Sequence, residues 1–167
     1  MRRPLHVLPL LVLAACDLGL GTGPVELKLD DLAEPESNTA VVALTKTIGD
    51  GIGLNDMVAQ TQYLLTLRTP PPLPELLFDA RSSVLRLTLA GIDETGIRVT
   101  GTDGVDVVFA APDGVLFGPS TTCRITITSA WAPQPGARLR GKSDCPITDG
   151  TRELRVLFKF DYTVPAG

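Results

Sequence analysis

In Leu154-Arg155-Val156-Leu157-Phe158-Lys159-Phe160-Asp161-Tyr162, apolar side chains fall at Leu154, Val156, Phe158, Phe160 and Tyr162, while Arg155, Lys159 and Asp161 lie between them. Successive side chains of a β-strand point to opposite faces, so a period of two predicts a strand with one apolar and one largely charged face. A helix would need apolar residues three and four apart to gather them on one side.

The same period recurs upstream. Cys123-Arg124-Ile125-Thr126-Ile127-Thr128 alternates, as does Arg138-Leu139-Arg140-Gly141-Lys142, and Pro133-Gln134-Pro135-Gly136 between them is a turn signal. A hairpin folded about Gln134 sets Cys123 opposite Cys145, Ile125 opposite Ser143 and Ile127 opposite Gly141, with both sulfurs on the apolar face. A Cys123–Cys145 disulfide is therefore expected, stabilising the fold by about 3 kcal/mol in the chain-entropy account. Two thiols with no nearby histidine make an incomplete zinc site, and their separation does not suit a redox-active Cys-x-x-Cys pair.

Further runs complete the pattern. Val25-Glu26-Leu27-Lys28-Leu29 reads as a first strand, residues 39–48 as a second and residues 62–69 as a third. Leu85, Leu87 and Leu89, then Ile97 and Val99, then Val105, Val107 and Phe109 alternate with polar or smaller residues. Thr69-Pro70-Pro71-Pro72-Leu73-Pro74 must be extended, because proline fixes φ and removes donors, and reads as a connection crossing between sheets. Short strands divided by turn signals, with almost no helical period, predict an all-β fold: an antiparallel β-sandwich, immunoglobulin-like or related, with one disulfide, over residues 25–164.

At the other end of the chain, Arg2 and Arg3 precede an apolar run from Val7 to Ala15, which closes on Leu13-Ala14-Ala15-Cys16. The run is too short to span a bilayer, which takes ~20 apolar residues, and Pro4 and Pro9 make it a poor core helix. This segment resembles the bacterial lipoprotein signal peptide, whose Leu-small-small-Cys lipobox it matches at every position. The resemblance implies lipid on the Cys16 thiol, cleavage before Cys16, and residues 1–15 as a removed leader. Residues 16–24, rich in glycine, then read as a flexible lipidated tether. The implied location is the bacterial cell envelope, with the domain facing the periplasm or the outside.

Cleavage also changes the chemistry. The single histidine, His6, lies in the leader, so the mature chain lacks a Ser-His-Asp or Cys-His relay and the commonest catalytic zinc ligand. The full chain carries 15 Lys and Arg against 19 Asp and Glu; without Arg2 and Arg3 the net charge moves from −4 to −6, which disfavours nucleic acid as a partner. No cofactor is implied.

Four constellations remain as candidates. Arg124, Arg138, Arg140 and Lys142 share the polar face of the expected hairpin and could hold phosphate or carboxylate groups of envelope polysaccharide, lipid or an acidic protein partner; a solvated face is the plainer reading. Asp50, Asn55 and Asp56 in the glycine-rich loop Gly49–Asp56 offer oxygen ligands for Ca²⁺, but without EF-hand spacing. Asp30-Asp31, Asp93-Glu94, Asp103 and Asp106 could supply the paired carboxylates of a glycosidase only if two of them converge. Trp131 could stack on a sugar, although a tryptophan beside a turn more often plugs a core. The expectation is a lipid-anchored, non-catalytic binding or scaffolding module. The alternatives are a carboxylate-based carbohydrate-active enzyme and a structural subunit docking through a sheet edge.

Overall fold

The computed structural model describes residues 27–46, 61–68, 75–80, 83–102 and 104–166. The described chain is all-β and antiparallel, with strands β1 (Thr39–Lys46), β2 (Thr61–Arg68), β3 (Glu75–Ala80), β4 (Ser83–Leu89), β5 (Gly96–Val99), β6 (Val105–Ala110), β7 (Leu116–Pro119), β8 (Arg124–Ser129), β9 (Arg138–Thr148) and β10 (Glu153–Thr163). All ten join one sheet in the order β10-β1-β2-β3-β4-β6-β7-β9-β8-β5, with a further pairing of β10 to β9. The sheet curls into a half-barrel, so the expected two-sheet sandwich is corrected to one curved layer wrapped about its own core. A period of two assigns strands and faces, but it does not say which strands pair.

The curl gives the sheet an inner face. Ala40 and Val42 of β1, Leu85, Leu87 and Leu89 of β4, Val107 and Phe109 of β6, Ile125 and Ile127 of β8, and Val156, Phe158 and Phe160 of β10 meet in one buried cluster. Leu154 and Tyr162 flank it, so the apolar face expected of β10 is the inner one along its whole length. Trp131 is half-buried and packs against the same cluster, and its backbone N–H donates to the Ile92 carbonyl at 2.7 Å.

β8 and β9 pair with Ile125 opposite Ser143 and Ile127 opposite Gly141, as the turn arithmetic requires. The Cys123 and Cys145 sulfurs lie at bonding distance, and their Cα atoms are 5.0 Å apart. Nearer the turn the register slips, with Ser129 rather than Thr128 opposite Arg140, because a bulge takes up one residue. Gly141 is required where it stands: a Cβ there would lie 2.5 Å from Phe160 Cζ and 2.8 Å from the Thr126 carbonyl. The Phe160 ring thus occupies the place of the missing side chain.

Three expectations are corrected. Leu27 and Lys28 are not strand, and Leu29–Asp31 forms one 3₁₀ turn, so the chain from Leu27 to Pro35 lies as a strap rather than as the first strand expected over residues 25–29. Leu27 and Leu32, with Leu29 beside them, pack on Val41, Ala43 and Leu157, which form a second cluster on the outer face of β1 and β10. The alternating leucines therefore do bury one face, but on a sheet and not within it. β2 and β3 pair directly, so the proline-rich segment between them joins neighbours instead of crossing between sheets. β3 and the four-residue β7 were not expected: Leu76-Leu77-Phe78 breaks the alternation, and β7 holds glycine and proline. The lipobox, the tether, the Gly49–Asp56 loop with Asp50, Asn55 and Asp56, and Asp103 lie outside the described residues.

Candidate functional site

The outer face of β8, β9 and β10 carries the charges that alternate with the core residues. β9 turns Arg138, Arg140, Lys142 and Asp144 outward between buried Leu139, Gly141, Ser143 and Cys145. The β9–β10 register then aligns Arg140 with Asp161, Lys142 with Lys159 and Asp144 with Leu157. That register is fixed at the turn by Asp149, whose Oδ1 accepts the backbone N–H groups of Thr151 at 2.9 Å and Arg152 at 2.7 Å. These donors, led by the Arg152 N–H, hold the Asp149 carboxyl below its usual range, at about 2. Arg152 also donates to Asp149 Oδ2 at 2.7 Å and places its guanidinium 4.9 Å from the Phe117 ring, which ties the turn to β7.

Asp161 is the most deeply buried charge on this face, at 2% exposure. Its Oδ1 accepts from Arg138 Nε at 3.1 Å and its Oδ2 from Arg140 Nε at 2.8 Å, with a second contact from Arg138 Nη2. Lys159, at 8% exposure, donates to the Leu32 carbonyl at 2.9 Å and to Glu34 Oε1 at 2.7 Å. Lys142 Nζ lies 3.4 Å from Asp30 Oδ1. The strap therefore sets one carboxylate on each member of the Lys142–Lys159 pair. Directly opposed like charges destabilise a sheet, and these carboxylates offset that cost.

Between strap and strands lies a half-open groove of about 480 Å³, lined chiefly by Asp30, Glu34, Arg140, Lys142, Lys159 and Asp161. Of the four basic residues expected on the hairpin face, Arg140 and Lys142 line this groove and Arg138 grips Asp161 beside it. Arg124 is exposed and makes no ion pair among the described residues; its cross-strand neighbour Asp144 is taken by Arg155, with Nε 2.6 Å from Oδ1. The face is thus an array of alternating charge in which Asp161 is shared by two arginines and Arg124 has no carboxylate among the described residues, so that cations outnumber anions without forming an open basic patch. Of the candidate carboxylates in the sequence, Asp30 reaches the groove, whereas Asp106 accepts the Val107 N–H on β6, and Asp93 and Glu94 lie in the β4–β5 loop.

Reasoning from sequence missed the partnership of Lys159, Asp161 and Glu34. The four-residue loop Asp149-Gly150-Thr151-Arg152 held the signal, since counting outward from its middle pairs Lys142 with Lys159 and Arg140 with Asp161. No group of three or more acidic, cysteine or histidine side chains is arranged to hold a metal among the described residues. The chain matches no protein-family model, no curated protein and no solved structure.

Proposed function

We propose that the protein is a non-catalytic binding module of the bacterial cell envelope. It is anchored by lipid on Cys16 and uses the outer face of β8 to β10 to hold anionic groups of an envelope polysaccharide, lipid or protein partner. The lipobox Leu13-Ala14-Ala15-Cys16 supports the anchor, and Cys123–Cys145 at bonding distance fits an oxidising compartment. The observation that carries the binding reading is that three cations fixed on adjacent strands, Arg140, Lys142 and Lys159, line one groove of small-molecule size. The carboxylates of the groove, Asp30, Glu34 and Asp161, are each paired with one of its cations, an arrangement suited to charge pairing with an anionic ligand.

A docking subunit is the second reading. β5 ends the sheet with one edge unpaired among the described strands, and Ile97 on it is 54% exposed.

Two measurements test the proposal. Mass spectrometry of protein purified from membranes should find an acylated amino-terminal Cys16 and a Cys123–Cys145 bridge that gains two hydrogens on reduction; an unmodified start elsewhere overturns the anchor. The full-length protein should be retained by immobilised polygalacturonate, an acidic polysaccharide, and released as salt rises. A chain of net charge −6 after loss of Arg2 and Arg3 is repelled by a polyanion unless a local cationic face meets it, so no retention, or equal retention on neutral dextran, overturns the binding reading.

A further inference from the structure

The cations and anions of the groove are held in different ways. Lys159 is built into β10 at 8% exposure, Lys142 lies across from it on β9, and Arg140 is fixed through its Nε on buried Asp161. The two terminal nitrogens of Arg140 make no hydrogen bond among the described residues. By contrast, the carboxylates over the two lysines come from the strap, and the side chains of Asp30 and Glu34 are 89% and 85% exposed. A carboxylate this exposed loses little on leaving its pair, because water solvates it in return. The cations are permanent and the anions exchangeable.

We infer that Arg140, Lys142 and Lys159 form a receptor for a phosphate monoester on a sugar-sized ligand, in which Asp30 and Glu34 are stand-ins that the ligand displaces. This inference rests on the anion-binding reading above and names its ligand class. A dianionic phosphate replaces two carboxylates charge for charge, and a guanidinium fork beside two ammonium point charges is a donor set suited to its oxygens. The groove volume of about 480 Å³ leaves room beside the phosphate for the group that carries it. The strap then acts as an intramolecular competitor.

Isothermal titration of the full-length protein in detergent with glucose 1-phosphate tests this, with glucose as the control. The D30N/E34Q variant should bind about three- to tenfold more tightly than wild type, the gain expected from removing two exposed competing carboxylates. The R140Q/K142Q variant should lose at least about tenfold, as expected where charge-assisted contacts are removed. Thermal melts establish that each variant is folded, and Lys142→Gln alone carries the test if the double variant is not. A phosphate monoester also occurs on phosphatidic acid: tighter binding of a short-chain, water-soluble phosphatidic acid than of glucose 1-phosphate assigns a lipid source, and the reverse order a sugar source, with no bilayer present for the Cys16 lipid to enter. Glucose 1-phosphate binding that is unchanged in both double variants overturns the receptor while leaving the anion-binding face standing. Failure of every variant to bind the ester overturns the receptor, and the polygalacturonate result then decides the broader reading separately.

Discussion

Val156, Phe158 and Phe160 on the inner side of β10 are at 0–1% exposure, and Lys159 and Asp161 on its outer side, at 8% and 2%, are nearly as buried. The inner residues are held by apolar area and close packing, which has no preferred partner and tolerates a hydrophobe of similar volume. The outer residues are held by named partners: two guanidiniums on Asp161, and a backbone carbonyl and a carboxylate on Lys159. Similar burial thus hides two kinds of dependence. Loss of volume should damage the inner face most, and loss of one partner the outer.

The largest expected effect is on the inner face. Phe160→Ala should destabilise the protein by about 3–5 kcal/mol, measured by urea unfolding, since it opens a cavity in the core and uncovers the Gly141 backbone. Phe160→Leu should recover much of that loss. If the leucine variant were no better than the alanine, general apolar volume would not be what holds this face, and the comparison would break.

These two faces were also unequally legible in the sequence. The inner face needs only the local period, so Leu154 to Tyr162, the β4 leucines and the Cys123-to-Thr128 run were placed correctly without knowledge of any distant contact. Counting outward from Gln134 suffices to bring Cys123 to Cys145. The outer face depends on contacts far apart in the chain: Lys142 to Asp30 spans 112 residues and Lys159 to Glu34 spans 125. No periodicity encodes those pairings. The basic hairpin face is therefore legible as a face and only partly as a site, since Asp161, which holds Arg138 and Arg140, lies on β10, and Asp30, beside Lys142, comes from a strap whose sequence resembles a strand. The single curled sheet was hidden for the same reason, because alternation gives each strand two faces but not its neighbours.

A smaller effect is expected from Asp161→Ala, which should cost about 1–3 kcal/mol. Removing this carboxylate leaves Arg138 and Arg140 without their shared anchor, but their side chains are 44% and 45% exposed and can turn to water, which limits the loss. The same variant in an Arg138→Ala, Arg140→Ala background should cost much less, and the difference in this double-mutant cycle measures the pairing itself. A cost independent of the arginines would show Asp161 acting through backbone geometry, and the outer face would then resemble the inner one in not depending on partners.

The smallest effect belongs to the turn that sets both faces in register. The Asp149 carboxyl is lowered from 3.8 to about 2, first by the Arg152 backbone N–H, then by that of Thr151 and by the Arg152 side chain. A carboxylate whose folded pKa is depressed binds protons less readily than it does in the unfolded chain. Its contribution to stability is therefore fully present above 3.8 and is lost as pH falls from there through about 2. Carbon-detected NMR titration of the side-chain carboxyl should show a midpoint near 2, and Asp149→Asn should flatten the acid limb of stability against pH over that window. The Asp149→Asn variant should leave the binding of acidic ligands at neutral pH unchanged, because the amide oxygen can still accept the Thr151 and Arg152 N–H groups and keep Lys142 opposite Lys159. Loss of ligand binding without loss of stability would mean that the turn's negative charge, rather than its geometry, governs the outer face, since only the charge is removed by the exchange of carboxylate for amide.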